Sequence, residues 1–291
     1  MANPRIPYQF STSRPRLQGP GGKSIIVHWV VNVEHWRIEE PMPRTIVTPP
    51  HGKETVPDIP NFSWADYGMR CGLPRMLELF QQHQLPVSTS FNAGVIDAYP
   101  QAAEAMRDAG WEFMGHSYQQ GPIHLEPDQP AMIKRSLDVI EKFTGKRPVG
   151  WLGPGLTQTN ETPDHLAAAG IKYIGDWVYD EEPTEIQTEH GPLITIPYTV
   201  ENNDIPMMAV QHHEASYWTQ KCIDTFDRLY EEGSDRPRVM AIAIHPYISG
   251  QPFRIKYLEE VYQHMAKHTG VMHWNGEQIL DWYQTARKTA K

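Results

Sequence analysis

The chain has 291 residues, 40% of them apolar, which is enough for a sizeable core in one large domain or two ordinary ones. Its formal charge is −9 with no basic cluster, which argues against nucleic acid or an anionic membrane surface as partner. No apolar run approaches the roughly 18 residues of a membrane span, and Cys71 and Cys222 make neither a disulfide framework nor a zinc cluster.

Residues 1–23 are proline-rich and aperiodic, and they read as an extended arm lying over the body or over a neighbouring subunit. A homo-oligomer is the expected state. The arm lacks an apolar signal region, so a cytoplasmic location is expected. Gly22-Lys23-Ser24 is no phosphate loop, because Leu17 stands where the first glycine belongs and a strand follows. From Ser24 onward, apolar runs of strand length alternate with helical patterns. Helices are expected over Gly72–His83, Ala98–Ala109, Asp128–Thr144, Pro163–Ala169, Trp218–Glu232, Ile255–His268 and Glu277–Lys288. Proline in the first turn opens the helices after Asp128 and Thr162, and Gly110 and Gly170 close theirs. Between Ile38 and Phe62 lie six prolines and no helical period, which reads as a lid or pocket wall. No repeat or composition break marks a second domain, so residues 24–291 are expected to form one α/β domain.

Seven apolar runs end at a polar or strand-stopping residue: Asn32 and Glu34, Asn92, His116, Pro154, Asp176, Tyr198 and His245. In a parallel barrel all strand C-termini open on one face, where the chemistry of such folds sits. These carboxylates and imidazoles therefore read as one converging site. Glu34 ends an apolar strand, and a buried carboxylate with a raised pKa suits a base near neutrality. Its ordinary alternative is a carboxylate bonding the backbone of the proline-rich loop. His245 ends the most apolar strand and precedes a proline that fixes an extended exit; histidine suits protonation of a leaving nitrogen. His116 by itself is as readily a satisfied core polar group.

The segments VNVE (31–34), GHSYQQ (115–120), RPVGWLGPG (147–155), DWVYDEEP (176–183), PYTVENND (197–204) and IHPYISGQP (244–252) resemble the polysaccharide-deacetylase superfamily of NodB type. The likeness is greatest to its cytosolic branch of allantoinase-like and cyclic-imide-hydrolase-like proteins. The resemblance implies a single-domain distorted (β/α) barrel and hydrolysis of a non-peptide C–N bond. Departures accompany it. The family's paired aspartates fall on Asn32 and Glu34, and Asn32 has no group that titrates in range, so it is left to bind substrate. Of the two histidines four apart, His116 is present and Gln120 replaces the second. Were a metal bound, Glu34, His116 and a third ligand, His124 or Gln120, would hold it. His245 matches the family's general acid, and Asp176 its aspartate that orients the catalytic apparatus. By the same resemblance Trp151 and Pro154 stand where an arginine is usual, Trp177 walls the pocket, and Tyr67 and Asn203 bind substrate. Arg70 is expected to anchor a substrate oxygen or to pair with a nearby acid.

The leading expectation is a hydrolase that opens a small cyclic amide of allantoin, hydantoin or imide type. Glu34 would activate water, His116 position or polarise the carbonyl, and His245 protonate the departing nitrogen, with Asp176 orienting one of the histidines. A metal-independent reaction is favoured, with Zn²⁺ or another divalent ion as the alternative. That alternative is an amino-sugar N-deacetylase using a divalent metal, and a third is a catalytically silent barrel used for ligand binding.

Overall fold

A computed structural model of the protein describes residues 3–49 and 52–290. The strands are β1 (Ile25–Val33), β2 (Val87–Phe91), β3 (Glu112–Gly115), β4 (Gly150–Trp151), β5 (Tyr173–Ile174), β6 (Thr184–Ile186), β7 (Leu193–Thr195), β8 (Arg238–Ile244) and β9 (Val271–His273). They form one sheet in the order β6-β7-β5-β4-β3-β2-β1-β8, with β9 against the start of β1. Every pairing is parallel except β6 with β7. This is the mixed α/β, single-domain barrel that the strand–helix alternation implies.

The helices are α1 (Ile59–Tyr67), α2 (Leu73–Gln82), α3 (Val95–Ala98), α4 (Pro100–Asp108), α5 (Gln129–Thr144), α6 (Thr162–Ala168), α7 (Ala215–Glu232), α8 (Ile255–Met265) and α9 (Gly276–Thr289). Local chemistry sets their ends. The Asp128 carboxylate accepts from the Ala131 N–H at the start of α5, and Gly145 closes that helix at φ 76°. Asn275 and Gln278 form a reciprocal capping box at α9. Four elements escape the sequence reading: α1, α3, β6 and β9. α1 has no apolar face of helical period, so only its Asp58 cap marks it. No helix among the described residues is long and apolar enough to cross a membrane.

Period-two alternation in β1 decides what enters the barrel. Ile25, Val27, Trp29, Val31 and Val33 pack outward against the helices. Ile26 and Val30 join Met114, Leu152, Tyr173, Val239 and Ala243 in a separate inner cluster. Asn32 and Glu34 share that inner face by spacing, so both side chains enter the open end of the barrel. The opposite end is closed by α9. Its first N–H, from Gly276, donates to the buried Glu112 carboxylate at 2.7 Å, beside Ser88 and Tyr173. Residues 3–23 run across the body, with Arg14 forked onto Asp180 at 2.7 Å and Leu17 buried in the inner cluster.

Candidate active site

Glu34 lies at the centre of the open end, its carboxylate held by three donors. Gln120 Nε2 donates to Oε1 at 2.8 Å, while Tyr247 Oη and Trp36 Nε1 donate to Oε2 at 2.8 and 3.1 Å. His245 follows β8 on the same inner face, and its Nε2 stands 3.7 Å from Glu34 Oε1. Behind the imidazole lies Asp204. Its Oδ1 accepts from His245 Nδ1 at 2.7 Å, and its Oδ2 accepts from the His245 backbone N–H at 2.8 Å and Ser249 Oγ at 2.7 Å. With Nδ1–H committed to a carboxylate, Nε2 carries the lone pair that faces Glu34. Asp204 is wholly buried, and its two neutral donors and one imidazole hold it in a single orientation.

The loop that carries Tyr247 is set by close backbone approach. α1 and α2 join through a wide π-type turn, Gly68–Gly72. A Cβ on Gly68 would lie 2.5 Å from Tyr247 N, and one on Gly72 would lie 2.0 Å from Pro246 O. Only glycine lets the turn press against the chain after β8. Arg75 ties the same loop by donating to Gly250 O and to Tyr67 Oη, both at 3.0 Å. Around Glu34 the rings of Trp36 and Trp64 meet Tyr247 edge to face, with centroids 5.9 and 4.8 Å away. From the proline-rich loop, Arg44 Nη1 donates to Tyr247 Oη at 3.0 Å. Asn61 fixes that loop by accepting from the Ile46 and Val47 N–H groups.

His116 ends β3, buried, with Nδ1 bonded to the Leu152 carbonyl. Its Nε2 has no partner among the described residues, and neither has Gln120 Oε1. Burial drives the His116 pKa down to about 4, against the pull of Glu34, so the ring is neutral and Nε2 is an acceptor. Asp176 does not touch either histidine. Its Oδ1 accepts from Gly153 N–H at 2.6 Å and its Oδ2 from Gln158, and burial raises its pKa to about 7. The aspartate that orients a histidine is Asp204, next to the Asn203 that the sequence reading singled out.

Asn32 is locked by Ser90 Oγ, which donates to its Oδ1 at 2.6 Å, and its Nδ2 donates to Tyr198 Oη at 3.2 Å. Asn203 Nδ2 reaches the same hydroxyl at 3.3 Å. Trp151 and Pro154 are buried, and Trp151 lies over Gly115, where a Cβ would meet its ring at 2.5 Å. Trp177 donates to Gln158 Oε1 at 3.0 Å. Arg70 is 72% exposed and paired with Asp66, so of its two expected roles the structure shows the ion pair. His124 is exposed on a short turn and joins no cluster of metal-ligating side chains with Glu34 and His116. Tyr247, Trp36, Asp204 and Arg44 are the site neighbours that sequence reasoning missed; Asp204, a lone acid inside an Asn-Asn-Asp-Ile-Pro segment, had the best signal.

The C-terminal face of the parallel barrel thus gathers a carboxylate, a histidine–aspartate pair and a neutral imidazole, groups able to move protons between water and a substrate. Residues 62–174 match the family model described as polysaccharide deacetylase. Over that span the chain is similar to polysaccharide deacetylases, and it is a hydrolase of deacetylase-like kind. It is 28% identical to the peptidoglycan deacetylase of Helicobacter pylori, covering 79% of this chain and 89% of that protein. Among solved structures it superposes on a probable polysaccharide deacetylase from Pseudomonas aeruginosa PAO1 with TM-score 0.87 and 25% identity, over 97% of this chain and 98% of that one. Puue allantoinase gives TM-score 0.88 at 22% identity, over 97% and 98% of the two chains, a likeness of fold.

A divalent ion of the kind such domains hold would need ligands from Glu34, His116 and the position of Gln120. The donor set does not fit it. Glu34 already accepts three hydrogen bonds, one of them from the Gln120 amide. Gln120 offers a neutral amide oxygen where zinc prefers a second imidazole or thiolate. His116 Nε2 and Glu34 Oε1 each keep a lone pair, but no second imidazole completes the set.

Proposed function

We propose that the chain opens a small cyclic amide, of ureide, hydantoin or imide type, without a metal. Glu34 takes a proton from water as its oxygen bonds to the substrate carbonyl carbon. That proton passes to His245 Nε2, and the imidazolium is stabilised by Asp204. As the C–N bond breaks, His245 protonates the departing nitrogen, leaving an amine or amide and a carboxylic acid on the opened ring, and the acid then loses its proton to solvent. His116, neutral and accepting through Nε2, holds a ring N–H of the substrate. Asn32, Asn203, Trp151, Pro154, Trp177 and Tyr67 form or back the walls.

The observation that carries this reading is enclosure of the reacting pair. The Glu34 and His245 side chains are 3% and 6% exposed. The cavity that Glu34 and Tyr247 line, closed by Trp36, Phe62 and Met69, measures only about 10 Å³. So closed a centre suits a small ring that enters it, whereas a polymer needs an open groove. The test is turnover of hydantoin, dihydrouracil, succinimide and allantoin against N-acetylglucosamine oligomers, followed by ring opening and by acetate release. Acetate release that depends on added zinc, with no ring opened, would sink it. That outcome belongs to the second reading, a metal-dependent amino-sugar deacetylase, favoured by the name of the Helicobacter pylori relative.

A further inference from the structure

A second group of metal-ligating side chains lies away from the barrel mouth, on the outer helices. We propose that Asp227, His264 and His268 form a divalent-metal site of zinc class that clamps α7 to α8. One ligand atom from each lies within 4.8 Å of the others. His264 and His268 stand four residues apart along α8 and the turn that ends it, the spacing that puts two imidazoles on one helical face. Asp227 reaches across from α7, its Oδ1 2.6 Å from His264 Nε2.

A histidine–aspartate ion pair is the ordinary explanation of that contact, but it does not involve His268, whose ring packs edge to face on Phe226 and Tyr230. Its Nδ1 donates to the His264 carbonyl at 3.1 Å, which fixes the tautomer with the Nε2 lone pair outward. No other hydrogen bond holds the ring among the described residues. A backbone carbonyl on one imidazole nitrogen is the usual orienting contact of a metal ligand on the other. The turn itself is pinned, since Tyr230 Oη donates to the Thr269 carbonyl at 2.8 Å. Phe226 packs edge to face on both imidazoles at 5.8 and 5.1 Å, restricting their rotation. Two imidazoles and a carboxylate leave a fourth tetrahedral position for water, and this donor set selects zinc-like ions over magnesium or calcium.

The clamp has a structural consequence. α7 precedes β8 and α8 follows the loop of His245, Tyr247 and Ser249, so an ion joining the helices braces the unit that presents the imidazole. The test uses the full chain without an affinity tag. Titration with Zn²⁺ should show one equivalent bound, with Co²⁺ giving tetrahedral d–d bands. At free Zn²⁺ about 100 times Kd, the folded-to-unfolded ratio should rise about 100-fold. His268→Ala should abolish the bands and the stabilisation while keeping the fold, and Glu34→Gln should keep both. Binding that survives His268→Ala, or is lost in Glu34→Gln, would overturn the assignment, as would no binding at all.

Discussion

Replacing Asp204 by asparagine tests the acid–base pair through a residue that never meets the substrate. Two carboxylate oxygens now accept three hydrogen bonds, from His245 Nδ1–H at 2.7 Å, His245 N–H at 2.8 Å and Ser249 Oγ–H at 2.7 Å. Asparagine has one acceptor oxygen. Keeping that oxygen on the backbone N–H and Ser249 turns the amide NH₂ toward Nδ1, which must then accept. The imidazole proton moves to Nε2, and the ring cannot take the proton that Glu34 collects. The same change of tautomer in serine-protease triads costs about 10⁴-fold in kcat, so a loss of about 10³- to 10⁴-fold is expected here. The fold should lose only about 1–3 kcal/mol for mismatched hydrogen bonding. The measurements are kcat/KM against pH on whichever cyclic amide turns over, with urea unfolding as the control. Unchanged kcat/KM in a folded variant would refute the idea that Asp204 sets the His245 tautomer.

His245→Ala should lower kcat/KM by about 10²- to 10⁴-fold, with a bell-shaped profile in the wild type losing its imidazole limb. Full activity would remove His245 from the reaction. Prolonged chelator treatment should leave ring-opening turnover intact, and loss restored by zinc would favour the deacetylase alternative. The pH dependence of stability separates two buried groups. Burial holds His116 near pKa 4 against the ordinary 6.5, so between these values only the unfolded chain binds that proton and stability rises with pH. Burial lifts Asp176 from 3.8 to about 7, so the folded chain keeps its proton longer and stability falls with pH over that window. The two oppose each other in the wild type. Relative to it, His116→Gln should lose stability as pH rises from about 4 to 6.5, and Asp176→Asn should gain it. Curves that stay parallel to the wild type would contradict both burial effects.

The barrel was legible because its two longest inner strands state their own geometry. β1 and β8 are unbroken apolar runs ending in Glu34 and His245, and the β1–β8 register, with Val31 opposite Ile244, brings those ends together. What escaped depends on contacts that no local pattern encodes. Tyr247 reaches Glu34 across 213 residues of chain, and only the glycine turn at 68–72 lets its loop come close enough. Asp204 sits in a polar run with two asparagines and gains its role because residues 202–204 lie alongside β8, where the Asn203–Ala243 bridge sets its height. Asp176 had the better strand-end position, yet its oxygens are spent on Gly153 and Gln158. Position at a strand end says which side chains enter the mouth, not which of them touch.

Buried charge alone does not distinguish the two ends of the barrel. Each end buries a glutamate on the inner face of a strand. At the closed end Glu112 receives Ser88 Oγ–H, Tyr173 Oη–H and the Gly276 N–H at 2.6, 2.6 and 2.7 Å, and burial raises its pKa. Those donors come from two strands and a helix N-terminus, so the carboxyl group ties α9 to the sheet. At the open end Glu34 is equally well furnished, but its surroundings are not. His116 Nε2 and Gln120 Oε1, both acceptors, are left without donors. A buried acceptor without a partner costs about 1–3 kcal/mol, a penalty that a substrate rich in N–H groups would relieve on binding. A cyclic ureide or imide carries such donors in its ring. The two free acceptors at the open end, His116 Nε2 and Gln120 Oε1, are of the kind that the ring N–H groups of the proposed substrate class would fill.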